Sequence, residues 1–176
     1  DDRGMVAGVT FQDGETGEQF EIPSRCVINA TGADCDAVRT MSDARSKPIV
    51  TLSQGIHLVF DRKFLPSDIA IMIPKTSDGR VLFCIPWQGH TLVGTTDTPI
   101  DKAVMEPLAL ESEIDFVLET AGKYLTEKPS RSDILSIFTG IRPLVKTGAA
   151  GNTASLSRGH TIEINAVGLL TITGGK

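Results

Sequence analysis

A chain of 176 residues is long enough to bury a real core and, by length, makes one domain. Its 40% hydrophobic and 22% charged residues are ordinary for an α/β or α+β protein, while a net charge of -5 with no Lys/Arg cluster argues against nucleic-acid binding, which needs a basic field. No apolar run approaches the roughly 20 residues that span a bilayer, and three cysteines (Cys26, Cys35, Cys84) without C-x-x-C spacing fit reduced thiols in a cytosolic setting rather than a disulfide framework or a metal site.

Met5 to Phe11 and Glu18 to Ile22 flank the turn-forming Asp13-Gly14-Glu15-Thr16-Gly17, which predicts a β-hairpin. Cys26 to Ala30 is a short apolar run closed by Thr31-Gly32 and reads as a buried central strand. Its terminal glycine either makes an ordinary tight turn or admits a close backbone approach by another segment or a ligand. Cys26 and Cys84 stand in apolar runs and are expected in the core. Ala33 to Ser42 suggests a short helix, and Pro48 to Leu52 resumes an extended run. Gly55-Ile56-His57 then leads into an apolar strand through Phe60, with His57 on the side opposite Leu58. Such a histidine is either a satisfied structural residue or, with an unperturbed pKa near 6.5, a candidate for proton transfer.

Ile69 to Ile73, Arg80 to Pro86 and Thr91 to Thr95 form three strand-like runs joined by turn-rich connections, so neighbours should be antiparallel. The third ends in Gly94-Thr95-Thr96-Asp97, whose hydroxyls and carboxylate either orient a ligand or cap a turn. Ser112 to Leu125 carries Ile114, Val117, Leu118, Ala121 and Leu125 on one helical face, with Ser112 and Asp115 resembling a capping box. That helix should cover a sheet face. From Ser136 to Leu144 the alternation predicts a strand buried on at least one side, with Arg142 near its end and Pro143 stopping the ladder. A guanidinium there needs an anionic partner, whether a structural Asp or Glu or a bound oxyanion or phosphate. Thr161 to Asn165 and Leu169 to Thr173 are the last strands. The second runs straight into Gly174-Gly175-Lys176, which suggests a piece of a longer protein.

Val27-Ile-Asn-Ala-Thr-Gly32, Gly55-Ile-His57, Ile73-Pro-Lys-Thr-Ser-Asp-Gly-Arg80, Ile85-Pro-Trp87, Gly94-Thr-Thr-Asp97, Gly140-Ile-Arg-Pro-Leu144, Ser157-Arg158 and Thr171-Ile-Thr-Gly-Gly-Lys176 occur in one order across nearly the whole chain. Each motif alone is weak. The ordered set resembles the FAD-dependent glycerol-3-phosphate dehydrogenases, except that Ala33-Asp34-Cys35 stands where members commonly have Gly-Pro-Trp.

The resemblance implies an α+β fold: a mixed, largely antiparallel sheet of about six strands with helices on one face, plus strands of an incomplete FAD domain. Residues 1–32 and 169–176 would belong to the FAD domain and residues 33–168 to a substrate-binding cap. The implied chemistry is hydride transfer from C2 of sn-glycerol 3-phosphate to flavin, giving dihydroxyacetone phosphate. By the same resemblance Arg142 binds the phosphate, Lys176 adds positive charge beside it, and Asp97 orients a neighbouring cation. His57 takes the hydroxyl proton and Arg158 stabilises developing negative charge, since arginine stays protonated. Ala30, Thr31, Gly32, Gly174 and Gly175 match segments that approach the cofactor; no metal is implied. Quinone is the expected electron acceptor, with the parent protein cytoplasmic or peripheral on the cytoplasmic face of the inner membrane. A glycerol-3-phosphate oxidase using dioxygen is the alternative enzyme, and a non-catalytic binding or structural module the alternative class. The chain by itself is expected to be inactive.

Overall fold

The computed structural model of the chain describes residues 1–77, 79–146 and 159–175. Its first half contains β1 (Gly8–Gln12), β2 (Gln19–Pro23), β3 (Ile28–Asn29), α1 (Cys35–Ser42), β4 (Val50–Asp61), β5 (Ile71–Ile73) and β6 (Leu82–Trp87). The second half contains β7 (His90–Gly94), β8 (Thr98–Ile100), α2 (Glu111–Ala121), β9 (Ser136–Val145), β10 (His160–Ile164) and β11 (Leu170–Gly174). Two compact units result, one centred on Asp1–Thr51 with segments from Pro143 onward, the other on Leu52–Arg142.

In the first unit, β1 and β2 form the antiparallel hairpin that the Asp/Gly turn predicts. Asp13 organises that turn by accepting hydrogen bonds from the Glu15 and Thr16 amides at 2.7 and 2.9 Å. A separate sheet has the order β10-β11-β3, with β10 antiparallel and β3 parallel to β11. The run 26–30 is therefore not the buried central strand that its composition suggests. Only Ile28 and Asn29 pair, along the sheet's edge, leaving Ile28 exposed and Asn29 buried. One covered face gives alternating rather than continuous burial, and Cys26, expected in the core, is exposed. α1 is tied down by Asp36, whose carboxylate accepts from the Ile49 and Val50 amides, and by Arg39, which donates to Glu163 of β10 at 2.9 Å.

The second unit is a six-stranded sheet with the path β5-β6-β7-β4-β8 and β9 also on β4. The extended runs at 48–52 and 54–60 merge into the 12-residue β4. Ile56, Leu58 and Phe60 point to one side of it and are fully buried against Ile114, Val117, Leu118 and Ala121 of α2. Cys84 joins this core as expected. α2 starts differently from the sequence expectation: Leu110 is the cap, and its amide donates to the Glu113 carboxylate at 3.0 Å, so Glu113 rather than Asp115 closes the first turn. β9 also departs from its prediction. Ser136, Ile137 and Phe138 are exposed, burial begins only towards Leu144, and the strand continues through Pro143 to Val145. Among the described strands β9 pairs with β4 alone, and on such an edge strand a proline costs no ladder bond to a further neighbour. No helix among the described residues is long and apolar enough to cross a membrane.

Candidate functional site

Alternation along β4 sends Gly55 and His57 to the face away from α2, because Ile56 and Leu58 occupy the helix side. On the neighbouring edge His57 is opposite Gly94 and Gln54 is opposite Thr98. Two residues of β4, Gly55 and Ile56, therefore face three, Thr95, Thr96 and Asp97. This is a β-bulge, and a bulge redirects the groups of the longer strand away from the regular ladder.

Arg142 of β9 is held by those redirected groups. Its Nη1 donates to the Thr96 carbonyl at 2.8 Å and the Gln54 carbonyl at 3.3 Å, and its Nη2 donates to Thr95 Oγ1 at 2.7 Å. The side chain is only 12% exposed. Gly55 makes the position possible: a Cβ there would collide with Nη1 and Nη2 of the guanidinium and with the Thr96 carbonyl. Asp97 Oδ1 lies 3.8 Å from Arg142 Nη1, Oδ2 lies 3.9 Å from Arg80 Nε, and Ser53 Oγ donates to Oδ1. At 3.8 Å the carboxylate is beyond a charge-assisted hydrogen bond. The described direct bonds to the Arg142 guanidinium thus come from neutral oxygens, with Asp97 as a charge nearby.

His57 stacks on Phe138 of β9, ring centroids 5.1 Å apart and planes inclined by 12°. Its ring also lies over Gly94, where a Cβ would collide with Cδ2. Gly55 and His57 are two residues apart on one face, about 7 Å along the strand. His57, Asp97 and Arg142 are thereby gathered in one unit on one side of one sheet. Such a cluster places a cation with forked donors, hydroxyls and an imidazole around the same patch, which suits an anionic, hydroxylated small molecule.

Ala30, Thr31, Gly32, Gly174 and Gly175 fall in the other unit. Asn29 organises the first three: its Oδ1 accepts from Thr31 Oγ1 at 2.7 Å and from the Thr31 amide at 3.3 Å, while its Nδ2 donates to the Cys35 carbonyl at 2.9 Å. β3 and β11 are parallel neighbours with Asn29 opposite Thr171, so their carboxyl ends point the same way. Both ends turn on glycines with positive φ, +60° at Gly32, +80° at Gly174 and +79° at Gly175. Nothing lies within 4 Å of where a Gly32 Cβ would be. Carboxyl ends of parallel strands are where α/β sheets admit ligands; the open turn is the one at Gly32, since a Cβ at Gly174 would collide with the Gly159 carbonyl and Val145. Arg158 and Lys176 lie outside the described residues.

Sequence reasoning missed Gln54, Glu113 and Asn29 as organising residues. Gln54 Nε2 donates to Glu113 Oε2 at 2.8 Å, and Glu113 Oε1 accepts from both Thr96 and Thr98 hydroxyls at 2.7 Å. Burial pushes the Glu113 carboxyl up, but the bonds from the Leu110 amide, Thr98, Gln54 and Thr96 outweigh it and hold it below the usual carboxylate value. Its helical period marked only a core face, and no local motif links it to residues 15 to 59 positions away.

A family model described as FAD dependent oxidoreductase matches residues 1–175. The chain is 40% identical to the probable mitochondrial glycerol-3-phosphate dehydrogenase of Dictyostelium discoideum, covering 98% of this chain and 28% of that protein. It is 42% identical to the mitochondrial glycerol-3-phosphate dehydrogenase of Bos taurus, covering 97% and 24% respectively. It thus spans about a quarter of the length of these curated relatives. The solved structure of a Bacillus halodurans glycerol-3-phosphate dehydrogenase complexed with FAD superposes with a TM-score of 0.83 at 33% identity, covering 100% of this chain and 33% of that one.

Proposed function

The chain belongs to the family of FAD dependent oxidoreductases, and from that premise we propose that it is part of a glycerol-3-phosphate dehydrogenase that oxidises sn-glycerol 3-phosphate to dihydroxyacetone phosphate. The observation that carries this reading is the guanidinium of Arg142, seated over Gly55 beside the Thr95-Thr96-Asp97 bulge, with His57 two residues along the same strand face. Arg142 is preset by carbonyl and hydroxyl oxygens, so little side-chain freedom is lost when a phosphate arrives. Its planar fork matches two phosphate oxygens. Asp97, within 4 Å of both Arg80 and Arg142, orients the cationic groups.

His57 accepts the proton of the C2 hydroxyl, while Phe138 and Gly94 fix the plane of its ring. Arg158 stabilises the negative charge that develops on that oxygen and Lys176 adds to the phosphate's binding, both assigned from the resemblance. Ala30, Thr31, Gly32, Gly174 and Gly175 would hold the flavin, and what supports this is the pair of parallel strand ends with glycines at positive φ and open space at Gly32. FAD, when bound there, supplies the acceptor for the C2 hydride. The strands of residues 1–32 and 169–176 accordingly serve the cofactor, and the sheet within 33–168 serves the substrate.

Electrons pass on to quinone in this proposal, which goes with a peripheral position on the cytoplasmic face of a membrane. Fast reoxidation of the reduced parent enzyme by dioxygen and none by quinone would make it an oxidase instead. The isolated chain is expected to be colourless and without dehydrogenase activity. The deciding experiment is Arg142→Ala in the full-length enzyme: loss of a desolvated charged contact should lower substrate affinity by about 2 to 5 kcal/mol. An unchanged KM and kcat would leave Arg142 as scaffold and remove the basis of the reading.

A further inference from the structure

Glu113 sits on α2, on the opposite side of the sheet from Arg142, and is 3% exposed. The four described hydrogen bonds of its carboxylate are all accepted: from Thr96 Oγ1, Thr98 Oγ1, Gln54 Nε2 and the Leu110 amide. Thr96 Oγ1 in turn accepts from the Ile56 amide at 3.0 Å, so that hydroxyl has its proton committed to Glu113 and one lone pair to β4. Two of the residues that Glu113 holds by their side chains, Thr96 and Gln54, present their main-chain carbonyls to Arg142 Nη1 on the other face. The carboxylate therefore pins the β-bulge from below at the two places where the guanidinium rests on it from above.

We propose that Glu113 is the positioning residue for Arg142, setting the height and tilt of the guanidinium through the Thr96 and Gln54 backbone and so determining how well the site selects a phosphorylated over an unphosphorylated polyol. This rests on the reading of Arg142 as the phosphate contact. Glu113 touches no substrate. An uncharged amide replaces it only in part: with its oxygen towards Gln54 Nε2 and the Leu110 amide, its nitrogen would donate to the Thr96 and Thr98 hydroxyls, whose protons then lose the acceptor they share. Thr98 supplies an internal control: it binds the same carboxylate oxygen as Thr96 but makes no described bond to Arg142.

The test uses the full-length flavin-loaded enzyme with Glu113→Gln, Thr96→Val, Thr98→Val, Arg142→Ala and the double variant Glu113→Gln/Arg142→Ala. KM and kcat are measured for glycerol 3-phosphate, and kcat/KM for glycerol. Glu113→Gln and Thr96→Val should each raise KM for glycerol 3-phosphate about tenfold, the scale of a perturbed charged hydrogen bond. They should change kcat/KM for glycerol less than about twofold, and Thr98→Val should leave KM where it was. In the Arg142→Ala background the Glu113 change should add nothing. If Glu113→Gln does not fold, Thr96→Val against Thr98→Val makes the same comparison. The proposal is overturned if Arg142→Ala raises KM but the Glu113 and Thr96 variants do not, if the effects of Glu113→Gln and Arg142→Ala add in full, or if both substrates suffer equally. An Arg142→Ala enzyme with unchanged KM instead overturns the phosphate reading itself.

Discussion

The imidazole of His57 lies nearly parallel to the ring of Phe138 on the adjoining strand, with centroids 5.1 Å apart. Cross-strand aromatic pairs are worth about 0.5 to 1.5 kcal/mol beyond their buried area. If that stack holds the imidazole square to the substrate hydroxyl, Phe138→Ala should lower kcat of the full-length enzyme by a factor of about 2 to 10, the same energy expressed as rate. KM should change little, since the proposed phosphate contact is on Arg142. Steady-state kinetics checks this, and an equal loss in both parameters would assign Phe138 to general packing.

Two glycines should separate binding from turnover. A methyl group on Gly55 would collide with the Arg142 guanidinium and the Thr96 carbonyl, whereas one on Gly94 would collide with the His57 ring. Gly55→Ala should therefore raise KM by about tenfold or more, on the scale of a lost charge-assisted hydrogen bond. Gly94→Ala should chiefly depress kcat, by an overpacking strain of about 1 to 3 kcal/mol. The pair is informative because both sites lie on adjacent strands of one sheet and neither carries a functional group. Identical kinetic signatures would mean that the sheet simply distorts.

Much of this arrangement was legible in the sequence. Alternation alone put His57 opposite Leu58, and the apolar period of 114–125 put α2 on the buried face. The turn residues gave the antiparallel order of β5, β6 and β7. What failed shares one cause. The place of Ile28 and Asn29 in a sheet depends on β11, more than 140 residues later, and which of the two is buried depends on the face that the fold covers. The persistence of β9 through Pro143 likewise depends on its being an edge strand. Glu113 drew no notice because its four donors come from β4, the bulge, β8 and the loop before α2. Gly94-Thr95-Thr96-Asp97 could be singled out for its hydroxyls, but its register mismatch against β4 is a tertiary property.

The three thiols should divide by burial. Cys26 is exposed, while Cys35 and Cys84 are buried. Burial pushes the Cys84 thiol up to about 11 and raises that of Cys35 as well, so at pH 8 neither offers a useful fraction of thiolate. A chromogenic thiol reagent added to the native chain at that pH should titrate one group quickly and the other two only on unfolding. Cys26→Ser should abolish the fast phase. Three fast thiols in the native chain would contradict the burial of β6 and of the start of α1.

Acid stability offers a check on Glu113 that needs no substrate. Burial raises its carboxyl pKa, yet the accepted hydrogen bonds more than compensate, and the folded value lies below the ordinary 4.5. A depressed carboxylate contributes stability that is present above its unfolded pKa and is lost as pH falls through the lower folded value. Glu113→Gln should therefore be less stable than the natural chain at pH 7 by about 1 to 3 kcal/mol, the range for disrupting a buried hydrogen-bonded group. That gap should narrow once the pH drops below about 4.5, because the protonated acid resembles the amide. Asp13, Asp43 and Asp133 are also held below their usual values by hydrogen bonds, but they are common to both proteins and cancel in the difference. Urea denaturation of the two chains between pH 7 and pH 3 measures the gap directly. A difference that stays constant across this range would mean that the carboxylate is not the ionised anchor of the bulge.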